Sequence, residues 1–209
     1  MTPAELRAFE KDIERVYETG SIRAPVHLRN NNEQDLCSIF KNCEIKPKDY
    51  VFSTWASHMH ALLKGVPPEE VKKKILDGKS ITLHFPKHNF YSSAIVGGIC
   101  PISVGTAWKL KESGSKARVF CFLGDMSFLT GIASESIRYS INHDLPITWV
   151  IEDNGKSVGT PTEEAWNGDT QEWYQIYKLL GKSRKNFNIT YYKYKMGYPH
   201  AGTGTFVEF

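Results

Sequence analysis

Cysteine is scarce and poorly spaced for either of its special uses. The four residues Cys37, Cys43, Cys100 and Cys121 include no C-x-x-C pair, and Cys100 and Cys121 sit in apolar stretches. The expectation is buried free thiols in a reducing compartment, the cytoplasm, rather than a disulfide framework or a zinc site. An excess of one charge is also lacking. The 26 basic and 23 acidic residues leave a net charge of +3, too little to argue for nucleic acid, and Lys72-Lys73-Lys74 reads as a solvated helix face. No apolar run approaches the roughly 20 residues of a membrane span. The opening residues lack the charged-then-apolar pattern of a secretory signal. Internal repeats and long linkers are missing too, so the reading is one domain over residues 1–209. Its hydrophobic content of 41% suffices for a single α/β core.

What is present has a clear order. Thr2-Pro3-Ala4-Glu5 has the form of a capping box with proline at the first helical position. Leu6, Phe9, Ile13, Val16 and Tyr17 follow at helical spacing, and Gly20 ends the helix. A second helix is expected to carry Leu36, Ile39 and Phe40, after the polar stretch 29–34. Residues 50–53 are a strand candidate, 67–76 a small helix and 78–93 a loop. Residues 96–111 predict an apolar helix with small residues at Gly97, Gly98, Ser103, Gly105 and Ala107. Such a face suits close approach to another backbone, either in the core or as a contact surface near 97–108.

The middle of the chain is the most explicit. Residues 119–123 form a continuous apolar run, as a doubly covered parallel strand does. A helical stretch at 131–142 and a second apolar run at 146–151 complete a βαβ unit. A helix near 170–180 and strands near 189–194 and 205–209 follow. The predicted architecture is α/β, a mostly parallel sheet covered by helices on both faces.

Gly124-Asp125 closes the first strand of the βαβ unit and Asn154 lies just past the second. The separation is roughly 30 residues, the length of one such unit. Both side chains therefore reach the carboxyl edge of the sheet, where ligands of parallel sheets bind. One carboxylate and one amide oxygen suit magnesium, which shares its octahedral oxygens with a phosphorylated ligand. Gly124 lets the backbone approach, and a helix starting after Asp125 could offer N–H groups to phosphate. Taken alone, the same residues also read as a turn or a helix cap.

Context adds to this. The run from Leu123-Gly124-Asp125 through Glu152-Asp153-Asn154-Gly155-Lys156 resembles the thiamine-diphosphate signature. Other blocks fall in order: Gly20-Ser21-Ile22-Arg23 with Ala24-Pro25-Val26-His27-Leu28; Asp49 to Thr54 through His58 and Gly65; and Leu83-His84, Asn89-Phe90-Tyr91, Ile95-Val96-Gly97-Gly98 and Pro101. Together, over roughly residues 5–165, they resemble the alpha subunits of 2-oxo acid dehydrogenase E1 components of the pyruvate or acetoin type.

That resemblance implies a thiamine-diphosphate-binding domain with Mg2+ as second cofactor. Asp125 and Asn154 would bind the metal by side chains and Lys156 by its carbonyl. Ser127 would meet the diphosphate from the backbone, with Gly124 and Met126 beside it. Ala94 and Val96 would touch the aminopyrimidine, and Trp55 stands where the family has a diphosphate-contacting tyrosine. His27, His58 and His84 fall where the family lines its cofactor and substrate channel, which makes them the catalytic candidates. The sequence departs from the pattern at Ala56, where the family has arginine, and at Met126, where it has glycine. It also ends before a family segment whose histidine faces the diphosphate; His200 precedes the last expected strand and is not taken as its replacement. The implied function is an alpha-type subunit that decarboxylates a 2-oxo acid and passes on the acyl or aldehyde unit. It would work only with a beta-type subunit carrying the pyrimidine-domain glutamate, in an α2β2 assembly. A transketolase-like or carboligating transferase subunit, and a non-catalytic scaffold or regulatory subunit, are the alternatives.

Overall fold

The computed structural model describes residues 1–157, 159–199 and 201–208. The chain opens with α1 (Pro3–Glu18), capped as its sequence prescribes: the Thr2 hydroxyl accepts from the Glu5 N–H while the Thr2 N–H donates to the Glu5 carboxylate at 2.6 Å. Then come α2 (Glu33–Asn42), β1 (Tyr50–Ser53), α3 (His58–Leu63), α4 (Pro68–Leu76), β2 (His84–Phe85), β3 (Phe90–Ser92) and α5 (Ile99–Glu112). The second half holds β4 (Val119–Gly124), α6 (Asp125–Phe128), α7 (Gly131–Asn142), β5 (Ile147–Asp153), β6 (Lys156–Ser157), β7 (Thr160–Pro161), α8 (Thr162–Trp166), α9 (Thr170–Gly181) and β8 (Asn188–Lys193).

The main sheet has the order β2-β3-β1-β4-β5-β8, and all its pairings are parallel except β2 with β3. The α/β class expected from the sequence is therefore what the chain adopts. β5 is buried at every position, and β4 at all but Gly124. Alternate side chains feed two separate cores. Phe120, Phe122 and Val150 pack with α1 to α4, while Cys121, Leu123, Trp149 and Ile151 pack with α5, α7 and α9. That division is the period-two consequence of a strand covered on both faces. Among the described residues no helix is long and apolar enough to cross a membrane.

The parallel strands taken alone run β3-β1-β4-β5-β8. From β1 the chain crosses outward to β3, then returns to the other side of β1 to lay down β4 and β5. The reversal leaves a crevice beyond the carboxyl ends of β1 and β4, the position where doubly wound sheets bind ligands.

Four expectations need correction. The stretch 78–93 is not a plain loop, since it holds β2 and β3; β3 pairs with β1 and buries Phe90. A three-residue strand is too short to carry a periodic signal, and pairing decides it. The helix predicted from 96 starts at Ile99, because Gly97 takes a φ of 70° that interrupts helical geometry. α3 was not anticipated, and the helix after Asp125 is a single turn. No strand forms over 205–208; the tail instead pairs Gly202 with His27 in an isolated bridge. Phe209 and His200 lie outside the described residues.

Gly97 allows a direct test of the α5–α7 packing. A Cβ there would lie 2.3 Å from the Ile132 Cγ2, on a backbone that L residues avoid. Gly97→Ala is expected to cost roughly 1–3 kcal/mol, read as a lower urea midpoint. An unchanged midpoint would contradict this packing.

Candidate functional site

At the switch point lies a cleft partly open to solvent. Its walls come from four places. His27, Leu28 and Arg29 precede α2; Thr54, Trp55 and Ala56 follow β1; Gly124, Asp125, Met126 and Ser127 close β4; Glu152, Asn154, Lys156, Tyr194 and Met196 follow from β5, β6 and the segment after β8. The topology thus gathers Asp125, Asn154, Lys156, Gly124, Met126, Ser127, Trp55 and His27, all singled out from the sequence, into one cleft.

The residues of the cleft bear on its fit to a magnesium diphosphate. Asp125 is 1% exposed. Burial lifts its carboxyl to about 6, and the charge of Asp153 adds to the rise. The Thr162 hydroxyl and N–H groups, that of Asn154 included, pull the other way. A buried carboxylate pushed upward in this way gains from an adjacent cation. Asn154 keeps its Oδ1 on the Lys156 N–H at 3.1 Å, which leaves the second lone pair of that oxygen. At Gly124 an added Cβ would meet nothing within 4 Å, so the cleft floor is bare where a phosphate would lie. Among the described residues no group of three His, Cys, Asp or Glu side chains could hold a metal. The donor set is thus one carboxylate and one amide, which fits a hard cation whose remaining ligands are ligand oxygens and water. The one-turn α6 adds only a small dipole.

The remaining predicted residues lie elsewhere. His58 is fully buried away from the cleft, with its Nε2 2.8 Å from the Ser80 hydroxyl and its Nδ1 3.5 Å from the Glu10 carboxylate. His84 is exposed on β2, its ring 4.8 Å from that of Tyr91. Ala94 and Val96 sit between β3 and α5, outside the cleft walls. His27 stays with Trp55, their ring centroids 6.3 Å apart.

Sequence reasoning missed what lies beneath the cleft. The buried Glu152 carboxylate meets the Arg29 guanidinium at 2.8 Å. It also accepts from the Tyr192 hydroxyl at 2.5 Å and lies 3.0 Å from the His60 Nε2. Burial alone would raise the Glu152 pKa, but Arg29, then His60 and Tyr192, reverse this and hold it at about 2. Burial also works against charge on His60 and lowers its pKa despite Glu152. A neutral His60 therefore donates from Nε2 to Glu152 and accepts at Nδ1 from the Ser53 hydroxyl, 2.8 Å away. The sequence carried one hint, a glutamate ending an otherwise apolar strand. Its partners come from positions 29, 60 and 192, which only the fold unites.

These features define a class: a doubly wound α/β domain with a polar, metal-compatible ligand cleft at its switch point. The family described as "Dehydrogenase E1 component" matches residues 1–175, and the chain belongs to it. It is similar to the pyruvate dehydrogenase E1 component subunit alpha of Porphyra purpurea, with 31% identity over 170 residues, 73% of this chain and 49% of the relative. The Rickettsia prowazekii (strain Madrid E) protein of the same name is 30% identical over 166 residues, 74% of this chain and 50% of the relative. A mitochondrial one from Dictyostelium discoideum is 25% identical over 173 residues, covering 79% and 45%. The chain is E1 alpha-like, and it spans about half the length of the curated relatives it matches.

Proposed function

We propose that this chain forms the diphosphate- and Mg2+-holding part of a thiamine-diphosphate-dependent alpha-type subunit. That subunit decarboxylates a 2-oxo acid and transfers the acyl or aldehyde unit, together with a beta-type partner. The observation that carries the reading is the pairing of a buried Asp125 with Asn154 around a cleft floor left bare by Gly124. When bound, thiamine diphosphate supplies the carbon nucleophile and electron sink that such cleavage needs. The residues of the chain bind and orient. Asp125, Asn154 and the Lys156 carbonyl hold the metal, and the Ser127 N–H meets a phosphate oxygen, with Met126 alongside. Trp55 and His27 wall the cleft on the opposite side. Ala94 and Val96 are assigned to the ring of a ligand that projects toward a partner. His58 acts by position: through Glu10, which accepts the Arg29 N–H at 2.5 Å, it fixes the wall that carries His27. His84, exposed, is available to substrate or partner. Cytoplasmic residence belongs to the same reading, supported by free cysteines.

A beta-type partner in an α2β2 assembly is supported by uncovered apolar surface. Leu179 is 71% exposed on α9, beside Ile176 and Trp173, and Ile95 is 72% exposed ahead of α5. Gly105, exposed on α5, has nothing near it and admits a close backbone. Leu179→Lys is expected to abolish co-purification with the partner while leaving the circular dichroism spectrum unchanged. Retained assembly would remove α9 from the interface. The function itself is tested by titrating thiamine diphosphate and Mg2+ calorimetrically into the chain, with and without the partner. Binding, with 2-oxo acid decarboxylation in the complex, is the expected result. Absence of heat in both cases would favour the scaffold reading.

A further inference from the structure

We propose that Arg29 is the cation of this cleft that receives an anionic phosphoryl oxygen, in the place that Ala56 leaves without one. The inference rests on the cofactor reading above and names how its anionic end is held.

Arg29 and Ala56 line the same cleft as Gly124 and Asp125. The methyl group of Ala56 can hold no anion. Among the described residues that line the cleft, the arginine and lysine side chains are Arg29 and Lys156, and the Lys156 side chain is exposed while Arg29 is only 5% exposed. A cation shielded from water binds an anion more strongly than one screened by it.

A guanidinium has five N–H donors. Among the described residues the guanidinium has two partners, both at Nη1: Glu152 at 2.8 Å and the Tyr194 hydroxyl at 3.4 Å. Its Nε is buried and has no hydrogen-bond partner among the described residues. Buried donors are nearly always paired, so an orphan beside a ligand cleft points to a group that arrives with the ligand. The planar fork suits phosphate oxygens in particular.

Stability does not explain Arg29. A buried ion pair often stabilises a fold no more than apolar side chains of the same volume. Here the guanidinium is nevertheless fixed from several sides. Glu10 accepts from the Arg29 backbone N–H, which anchors the residue, while Glu152 and Tyr194 hold the guanidinium. Tyr194 lies after the 1–175 span that matches the family. Such fixing presents the remaining donors in one orientation, as anion recognition requires.

The test uses the chain with its partner and compares three probes in the presence of Mg2+: inorganic diphosphate, thiamine diphosphate and unphosphorylated thiamine. Binding is followed by calorimetry and by phosphorus NMR. Arg29→Gln should weaken both phosphorylated probes about 10–100-fold, the worth of one or two charged hydrogen bonds, and leave thiamine unaffected. Arg29→Lys should fall between. Ala56→Arg placed on Arg29→Lys should restore affinity, and this second variant keeps a cation beside Glu152 should the glutamine chain fold poorly. Wild-type affinity for inorganic diphosphate in both Arg29 variants, with thiamine diphosphate still bound by the wild type, overturns the inference and spares the cofactor reading. A wild-type complex that binds neither phosphorylated probe overturns both. Equal weakening toward thiamine would mean that Arg29 acts only on the fold.

Discussion

Asp125→Asn is expected to reduce Mg2+-dependent affinity for thiamine diphosphate by about 100-fold or more, with no loss of stability in the ligand-free chain. Removing only an outer partner of a metal site costs about 10–100-fold, and a direct ligand should cost at least as much. The substitution keeps shape and keeps an oxygen for the Thr162 hydroxyl, but removes the charge. In the free chain that charge is a burden, because burial lifts the Asp125 carboxyl to about 6. The two effects therefore move in opposite directions: binding collapses, while the melting temperature stays level or rises. A purely structural aspartate would behave otherwise, with stability falling and ligand affinity following it. Calorimetry and thermal melts on the same sample separate these outcomes. Undiminished affinity would remove Asp125 from the metal site.

The largest effect on stability is expected at Glu152. Glu152→Met leaves Arg29 charged, buried and without its counterion, a situation that costs roughly 3–5 kcal/mol. It also takes the acceptor from His60 Nε2 and the Tyr192 hydroxyl. Pairing it with Arg29→Met should recover much of that loss, since a volume-matched apolar pair replaces the ion pair. Urea unfolding of the wild type, both single variants and the double variant gives the coupling directly. A loss below about 1 kcal/mol in Glu152→Met, the scale of a surface pair, would mean that Glu152 does not hold Arg29 under the cleft as described.

How far the sequence could be read follows from the range of each interaction. The capping box of α1 and the apolar runs of β4 and β5 depend on neighbours in sequence, and they were legible. So was the joint position of Asp125 and Asn154, because one βαβ unit fixes both to the same edge. β3 was not legible: its three residues become a strand only through β1, far away in the chain. The Glu152 network failed for the same reason, since its members come from the loop before α2, from α3 and from β8. Burial was equally hidden. Nothing in the residues around His58 announces that Ser80 and Glu10 enclose it, nor that His84 stays exposed. The start of α5 was misjudged because Gly97 reads as a tolerable helix residue until its positive φ, and the Ile132 methyl against it, are known.

One crystal would test the central claim most directly: the chain with the proposed beta-type partner, grown with thiamine diphosphate and Mn2+ in place of Mg2+. The account predicts an anomalous peak bonded to an Asp125 oxygen, the Asn154 Oδ1, the Lys156 carbonyl and two phosphoryl oxygens, above the bare backbone of Gly124. A bound coenzyme whose metal lies off Asp125 and Asn154, or a cleft that stays empty at saturating coenzyme, would contradict it.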